Sequence, residues 1–471
     1  MMMKNEEKRR KDSAYGIPHP ASVHGHMPQT QDLTEGEPLK KLCLYAFPML
    51  ISMFFQQAYN LADSWIAGNL VGSDALGAVG ICYPVTVFLI AISSGLSLGT
   101  SIFCSRAFGK KDLPEVRCAF STSLRFYVPL SLVIAVSGLF LSPAVMNWLA
   151  VPEALRHGTL LYLRLYLLGF PFQFLYNVAN GTLTGLGNSR TPLVLLIVSC
   201  ICNVILDVVF VAVFSLGVAG LALATVISQA FSAVLSILLS SRVCRSLCEG
   251  FQAFSPAVLK EILRLGVPSM IQHIFMSLGQ LSLQGVINSY GAVVIAGYSL
   301  AFRINGIVIN TLMALSNALS GFIAQNIGAG YHGRIRQGIR ISLLLGYAFS
   351  LGVILLLSAF GECLLSFFIS EGGDTADIIA AGMSFFRVVV PFYLLVTLKI
   401  VSDGSLRGLG MMNAFMLATG ADVLVRILSG SLFSARWGLT GVWAVWPVAW
   451  LIGTVCSCVP LLHRLRHSPR S

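Results

Sequence analysis

Asp63 and Asp207 are the residues of this chain best suited to chemistry, because each interrupts a long apolar run. Val204 to Leu206 and Val208 to Val213 flank Asp207, and the run leading to Asp63 starts at Leu42. Inside a membrane such a side chain costs roughly 2.5 to 3.5 kcal/mol on insertion scales, so it needs a partner or a function. Helical spacing supplies neighbours: Gln56, Tyr59 and Asp63 share one face at i, i+3 and i+7, and Asn203 and Asp207 share another at i and i+4. At ~1.5 Å per residue from helix starts near Leu42 and Pro192, Asp63 lies roughly 31 Å and Asp207 roughly 22 Å inward. Thr225, on a helix descending from Gly217, lies roughly 12 Å below the far surface and reaches a similar level. Two carboxylates with Asn, Thr and Tyr oxygens make a hard-oxygen set for a sodium ion, with Asp63, Asn203, Asp207 and Thr225 as its metal ligands. The same set suits a proton shared between paired acids. These residues leave the choice open, and for Asp63 alone a hydrated helix end at the outer surface is the competing reading.

The second half has its own charges within apolar runs: Arg303, Lys399 with Asp403, and Asp422 with Arg426. The last two pairs are spaced i, i+4, so each neutralises itself along one helix. Asp403 is nevertheless retained as a candidate cavity or gating residue. His273 is isolated and reads as a packed histidine. Met53, Phe54, Phe55 and Met276 are candidates for an amphipathic cavity, although large apolar side chains in such a chain mostly meet lipid or neighbouring helices. The 11 cysteines lie mostly alone in apolar segments. Even the closest, Cys200 with Cys202, Cys244 with Cys248 and Cys456 with Cys458, have no histidine cluster beside them, so neither a disulfide framework nor zinc is expected. No Ser/His, His/Asp or metal constellation of an enzyme occurs at suitable spacing.

The elements that must position these residues follow from composition. Of 471 residues 56% are hydrophobic and 11% charged, with a mean hydropathy of +0.79, against about 25% charged in soluble domains. Apolar runs near 42–68, 74–105, 118–142, 159–186, 191–214, 217–241, 258–289, 293–326, 337–360, 376–405, 412–435 and 438–462 each suffice to cross a bilayer. An all-α membrane protein of twelve transmembrane helices is expected. The net charge of +11 does not indicate nucleic acid, since the basic residues cluster in alternate loops. One loop set holds Arg106, Lys110, Lys111, Arg117, Arg190, Arg242, Arg245, Lys260, Arg334, Arg336, Arg340 and Arg407; the other is nearly bare of Lys and Arg and carries Glu362, Glu371, Asp374 and Asp377. By the positive-inside rule both termini are cytoplasmic in an inner or plasma membrane. Residues 1–38 are polar, with Lys8 to Lys11 and no apolar core of a cleavable signal, and read as a disordered cytoplasmic tail. Residues 463–471 read as a second tail.

The halves repeat at an offset near 220. LCLYAFP at Leu42–Pro48 matches ILRLGVP at Ile262–Pro268, Phe108-Gly109 matches Ile327-Gly328, Pro171-Phe172 matches Pro391-Phe392, Gly185-Leu-Gly187 matches Gly408-Leu-Gly410, and Gly217 with Gly220 matches Gly438 with Gly441. A duplicated six-helix unit gives an N-lobe at 39–245 and a C-lobe at 246–462, related by an axis along the membrane normal, with a cleft between them.

Pro48 with Asp63 fifteen residues later, the Phe108-Gly109 loop, Asn180 before GTLTGLGNSRTP, Asn203 with Asp207, and Thr225 after GVAG together resemble the multidrug and toxic compound extrusion (MATE) family, over about residues 40 to 462. The resemblance implies two six-helix lobes in a V and a secondary active multidrug efflux antiporter. Such a protein exports cationic or amphipathic compounds in exchange for Na+ or H+, without other cofactor and as a monomer among membrane lipid. It further implies that Asp63, Asn180, Asn203, Asp207 and Thr225 form the N-lobe cation pocket, lined by Gln56 and Tyr59, and that Pro48 bends helix 1, where it removes a backbone donor. The glutamate that some members carry on helix 7 is absent from SMIQHIFMSLGQLSLQ after Pro268, which argues against ion binding in the C-lobe. The alternative is a lipid-linked oligosaccharide flippase of related architecture, which should show a basic cavity for pyrophosphate.

Overall fold

The computed structural model describes residues 30–149, 151–247, 253–367 and 375–467. Its helices are α1 (Pro38–Ile66), α2 (Ser73–Gly109), α3 (Leu113–Trp148), α4 (Glu153–Gly185), α5 (Arg190–Val208), α6 (Gly217–Leu247), α7 (Pro256–Asn288), α8 (Ala292–Gly328), α9 (His332–Ser366), α10 (Thr375–Val389), α11 (Tyr393–Leu409) and α12 (Met412–His467). There is no strand among the described residues. A 3-10 turn at Val390–Phe392 joins α10 to α11 into one crossing. Gly438, at φ 61 and ψ −144, divides the 56 residues of α12 into two arms; unbroken, they would span ~84 Å, nearly three hydrocarbon layers. That gives twelve crossings. Among the described residues nine helices are long and apolar enough, by length and composition alone, to be membrane spans. The two long helices left out, α4 and α7, each have 33 residues but carry Arg156, Arg164, Asn177 and Asn180, and Lys260, Glu261, Arg264, Gln272 and His273. They are the polar helices of their lobes.

The helices overrun the expected segments because their first turns lie in polar flanks. Asp112 caps α3, accepting from the Glu115 N–H at 3.0 Å, and Ser255 caps α7 through the Val258 N–H at 3.4 Å. The N-terminal expectation needs a larger correction. Residues 30–34 are packed, and Leu33 is buried with Leu42, Tyr45, Ala46, Leu315, Ala318 and Phe322. Their polar composition hid this, because the segment is held mainly by backbone hydrogen bonds and one leucine. At the other end α12 continues to His467, so the tail expected from 463 is helical to that point. Residues 1–29, 468–471 and the loop with Glu371 and Asp374 lie outside the described residues.

The repeat is written in the turns. Gly72 (φ 124) corresponds to Gly291 (φ 90), Lys111 (φ 63) to Gly330 (φ 78), Gly187 (φ 78) to Gly410 (φ 69), and Gly217 (φ 55) to Gly438 (φ 61). The middle two pairs close helices with the same bonds: Lys111 N–H to Phe108 O and Asp112 N–H to Ala107 O are repeated as Gly330 to Ile327 and Tyr331 to Asn326. Each half encloses an apolar core, around Tyr127, Phe170 and Phe174 in the first and around Tyr298, Phe385, Tyr393 and Trp443 in the second.

The halves meet closely at the end where α1 begins. A Cβ on Gly95 of α2 would lie 2.3 Å from Met270 Cα on α7, and one on Gly99 would lie 2.5 Å from Gly266 N. Only glycine permits these backbones to touch. Nearer that end, Gly109 abuts Gln325 O and Gly328 abuts Arg106 O. Toward the other end α2 packs on its own half, with Gly77 against Leu155, and α7 on the other, with Gly279 against Arg426. A V-shaped cleft results, shut at the α1 start. Both carboxylate-bearing helices finish in a π-helical turn, Ala67–Val71 after α1 and Val209–Val213 after α5. Such turns add a residue and rotate the helix before them relative to the chain beyond.

Candidate cation-coupling site

Asp63 on α1 and Asp207 on α5 meet in the N-terminal half, close enough for their carboxyls to interact. Asp207 is 0% exposed, Asn203 1% and Thr225 4%. With its carboxamide turned to match its neighbours, Asn203 donates to Asp207 Oδ2 at 2.9 Å and accepts from the Thr225 N–H at 3.2 Å. Tyr59, one turn before Asp63, lies beside the Thr225 hydroxyl, which donates to Leu221 O at 3.0 Å. The Oδ1 atoms of both aspartates are buried without a partner. Two carboxyls can bond to each other only if one holds a proton, and two bare carboxylates here would leave buried acceptors unsatisfied. A proton or a small hard cation is the chemistry that such a pair of acceptors can hold.

Among the residues assigned by resemblance, Asn180 is placed apart. Its Oδ1 accepts from Ser236 on α6 at 3.1 Å. Ser236 is eleven residues from Thr225 on the same helix, or ~16 Å along it. Asn180 also contacts Tyr176 and accepts from Thr184 through its carbonyl. Its position five residues from the end of α4 explains this separation. Gln56 is exposed, two turns below Asp63. Pro48 is buried within an unbroken α1, and Ser52 Oγ donates to its carbonyl at 2.9 Å. Sequence reasoning missed Tyr162 and Tyr166 of α4. Tyr162 is close enough to feel the Asp63 charge, its ring stacks on Tyr166 at 6.4 Å, and Tyr166 donates to Gln173 Oε1 at 3.0 Å. Their i, i+4 spacing facing the acid pair was the available signal, hidden among other aromatics.

In the C-terminal half Lys399 Nζ bonds Asp403 Oδ2 at 2.9 Å and Arg426 Nε bonds Asp422 Oδ2 at 3.0 Å. Asp403 is buried, and Ser457 donates to its other oxygen, so it does not line the cleft. The pairs are not independent, since Lys399 lies within electrostatic reach of Asp422. The repeat offsets map the N-terminal pocket onto Leu283 for Asp63, Gly430 for Asp207, Arg426 for Asn203 and Trp446 for Thr225. The contacts agree. Gly430 abuts Leu283 where Asp207 meets Asp63, and Arg426 stacks on Trp446 at 4.2 Å where Asn203 meets Thr225. The second half thus holds its own guanidinium where the first presents two acids. Among the described residues no three His, Cys, Asp or Glu side chains converge as a transition-metal site would require.

Twelve crossings in two repeated halves about a cleft, with an acid pair within one of them, define a membrane transporter. The sequence pattern of the MatE family matches residues 48–209 and 268–432, once in each half. The chain is 28% identical over 414 residues to the "Probable multidrug resistance protein YpnP" of Bacillus subtilis (strain 168), covering 87% of this chain and 92% of that one. It is 31% identical over 351 residues to the "Probable multidrug resistance protein YoeA" of the same organism, covering 73% and 76%. A solved multidrug resistance MATE family transporter of the MOP superfamily in an outward-facing conformation superposes with a TM-score of 0.85 at 22% identity, covering 95% of this chain and all of that one. The chain belongs to the MatE family, whose members are transporters and not enzymes.

Proposed function

We propose that this protein is a secondary active multidrug efflux antiporter, exporting cationic or amphipathic small molecules in exchange for Na+ or H+. The relatives named for multidrug resistance support small-molecule export. The observation that carries the exchange is the Asp63–Asp207 contact with an orphaned buried oxygen on each residue. Tyr59, Asn203 and Thr225 hold the pair in place, and the neighbouring tyrosines exclude water. Neutralising the pair with an incoming cation removes its attraction for a cationic substrate; losing that cation on the other side restores it. One site then serves both species in turn, which is sufficient for antiport. In this reading the N-lobe spans 39–245 and the C-lobe 246–462. The protein acts as a monomer in an inner or plasma membrane with both termini cytoplasmic, so the cleft faces outward. An acid pair has the wrong sign for a pyrophosphate, which disfavours a lipid-linked oligosaccharide substrate. The test is efflux of a fluorescent lipophilic cation from sealed vesicles under a sodium gradient and a proton gradient imposed separately. Efflux driven by one of them is expected; efflux indifferent to both refutes the antiport.

A further inference from the structure

The shut end of the cleft is built from two repeat-related bonds and a third element, residues 30–37. Arg106 of α2 donates from Nη2 to Gly408 O, the last turn of α11, at 3.2 Å. Gln325 of α8, its counterpart one repeat later, donates from Nε2 to Gly185 O, the last turn of α4, at 3.1 Å. Each half therefore caps a helix end of the other. Gln325, fully buried, does more. Its Oε1 accepts from the Leu33 N–H at 3.0 Å, so one carboxamide ties together α8, α4 and the segment before α1.

That segment is clasped from the C-terminal half along its backbone. Asn326 Nδ2 donates to Leu33 O at 3.3 Å, and Arg334 of α9 donates to Gly36 O at 2.8 Å and Leu33 O at 3.1 Å while holding Asn326 Oδ1 at 3.1 Å. Leu33 fills the seam between α1 and α8. On the N-terminal half, Lys111 pairs with Asp32 at 2.5 Å, and Gly187 lies so close that a Cβ there would be 2.1 Å from Gln31 O. Asp32 and Lys111 lie outside the membrane spans. Burial opposes the charged form of Asp32, but hydrogen bonds from Lys111 and Thr34 outweigh it and hold the carboxyl below its ordinary range.

We propose that residues 30–37 form a latch across the two lobes, with Gln325 and Arg334 as its gating residues, and that opening the cleft at this end requires the latch to leave the C-terminal lobe while it stays on the N-terminal one. This inference rests on the transporter reading above. The asymmetry follows from connectivity and chemistry. The latch runs directly into α1, which belongs to the first half, so it travels with that half. Its bonds to Gln325, Asn326 and Arg334 are to backbone atoms and break together once α8 and α9 withdraw. Among the described residues Arg106 clasps no such segment, and its Nε is buried without a partner.

The test uses the full chain with its native cysteines replaced, in sealed vesicles. A Leu33→Cys/Gln325→Cys pair oxidised to a disulfide is expected to lower dye efflux more than tenfold, with recovery on reduction. An oxidised Asp32→Cys/Lys111→Cys pair, which fixes the latch to the first half, is expected to keep efflux within twofold of its reduced form. Efflux unchanged by the 33–325 bond, or arrested by the 32–111 bond, overturns the latch. A second measurement does not depend on transport. Ala318→Cys, buried in the seam beside Leu33, should react several-fold faster with a membrane-impermeant thiol reagent from the latch side when Arg334→Gln is added; an unchanged rate overturns the proposal. Faster labelling in a protein that moves no dye even when reduced refutes the efflux reading and leaves the latch supported.

Discussion

Removing one charge from the acid pair has a magnitude that the pocket defines. In Asp207→Asn the shape is kept and the charge lost. A monovalent cation about 4 Å from the carboxylate, at the effective dielectric near 20 that suits buried protein sites, loses about 4 kcal/mol of attraction, or about three orders of magnitude in affinity. Asp63→Asn should cost a similar amount, because the two carboxyls interact. Thr225→Val deletes one neutral oxygen and the Tyr59 contact, worth about 1 kcal/mol, or roughly fivefold. The assay is thermal unfolding of the purified protein in detergent, titrated with sodium at fixed pH and with pH in the absence of sodium. A ligand at a hundred times its Kd stabilises the folded state by about 2.7 kcal/mol, so the wild-type melting temperature should climb along one titration. The Thr225→Val curve should shift roughly fivefold to weaker binding, and both asparagine variants should stay flat. Asp63→Asn and Asp207→Asn titrating as wild type would refute the reasoning, whatever their transport rate.

The C-terminal charges behave differently. Arg426→Ala takes from buried Asp422 its hydrogen-bonded partner, leaving only the charge of Lys399 within reach, and should cost about 3 kcal/mol of stability, seen as a lower melting temperature with the ion titration retained. Gly95→Ala places a Cβ 2.3 Å from Met270 Cα, forcing α2 and α7 apart by about 1 Å. At about 1 to 3 kcal/mol for overpacking, it should depopulate the state closed at the latch end, read as a longer spin-label distance across that seam. Latch docking should not respond to pH near neutrality. Asp32, held low, contributes stability that is present above its ordinary range and lost only as pH falls through the depressed value. Lys111, held high by hydrogen bonding to Asp32 with Glu35 and Tyr331 nearby, contributes stability lost only as pH rises through the elevated value. Hydrogen exchange at Leu33 and Thr34, corrected for intrinsic rate, should therefore be flat from about pH 5 to 9.

The helices and the repeat were legible because long uncharged runs and recurring Gly and Pro have few other uses. Asp63 and Asp207 could be paired on paper because a carboxylate in an apolar run is rare and helix rise fixes its depth. The same depth count, applied to Asn180 near the end of α4, would have separated it from the pair; motif order alone did not. Tyr162 and Tyr166 were passed over because their i, i+4 spacing on α4 does not by itself say which neighbour the rings face. Residues 30–37 read as tail because backbone hydrogen bonds leave no trace in side-chain composition. The guanidinium of Arg426 at the second half's copy of the pocket needed coordinates, since i, i+4 spacing with Asp422 explains that arginine without reference to the other half.

Coupling at the acid pair is tested most directly by running the exchange backwards. Reconstituted protein is given a substrate gradient and no ion gradient, and movement of sodium and of protons is followed at the same time. Downhill flow of the lipophilic cation should drive one of the two ions uphill in the wild type and neither in Asp207→Asn. Substrate flow with no ion movement in the wild type, or undiminished ion movement in Asp207→Asn, would contradict the account.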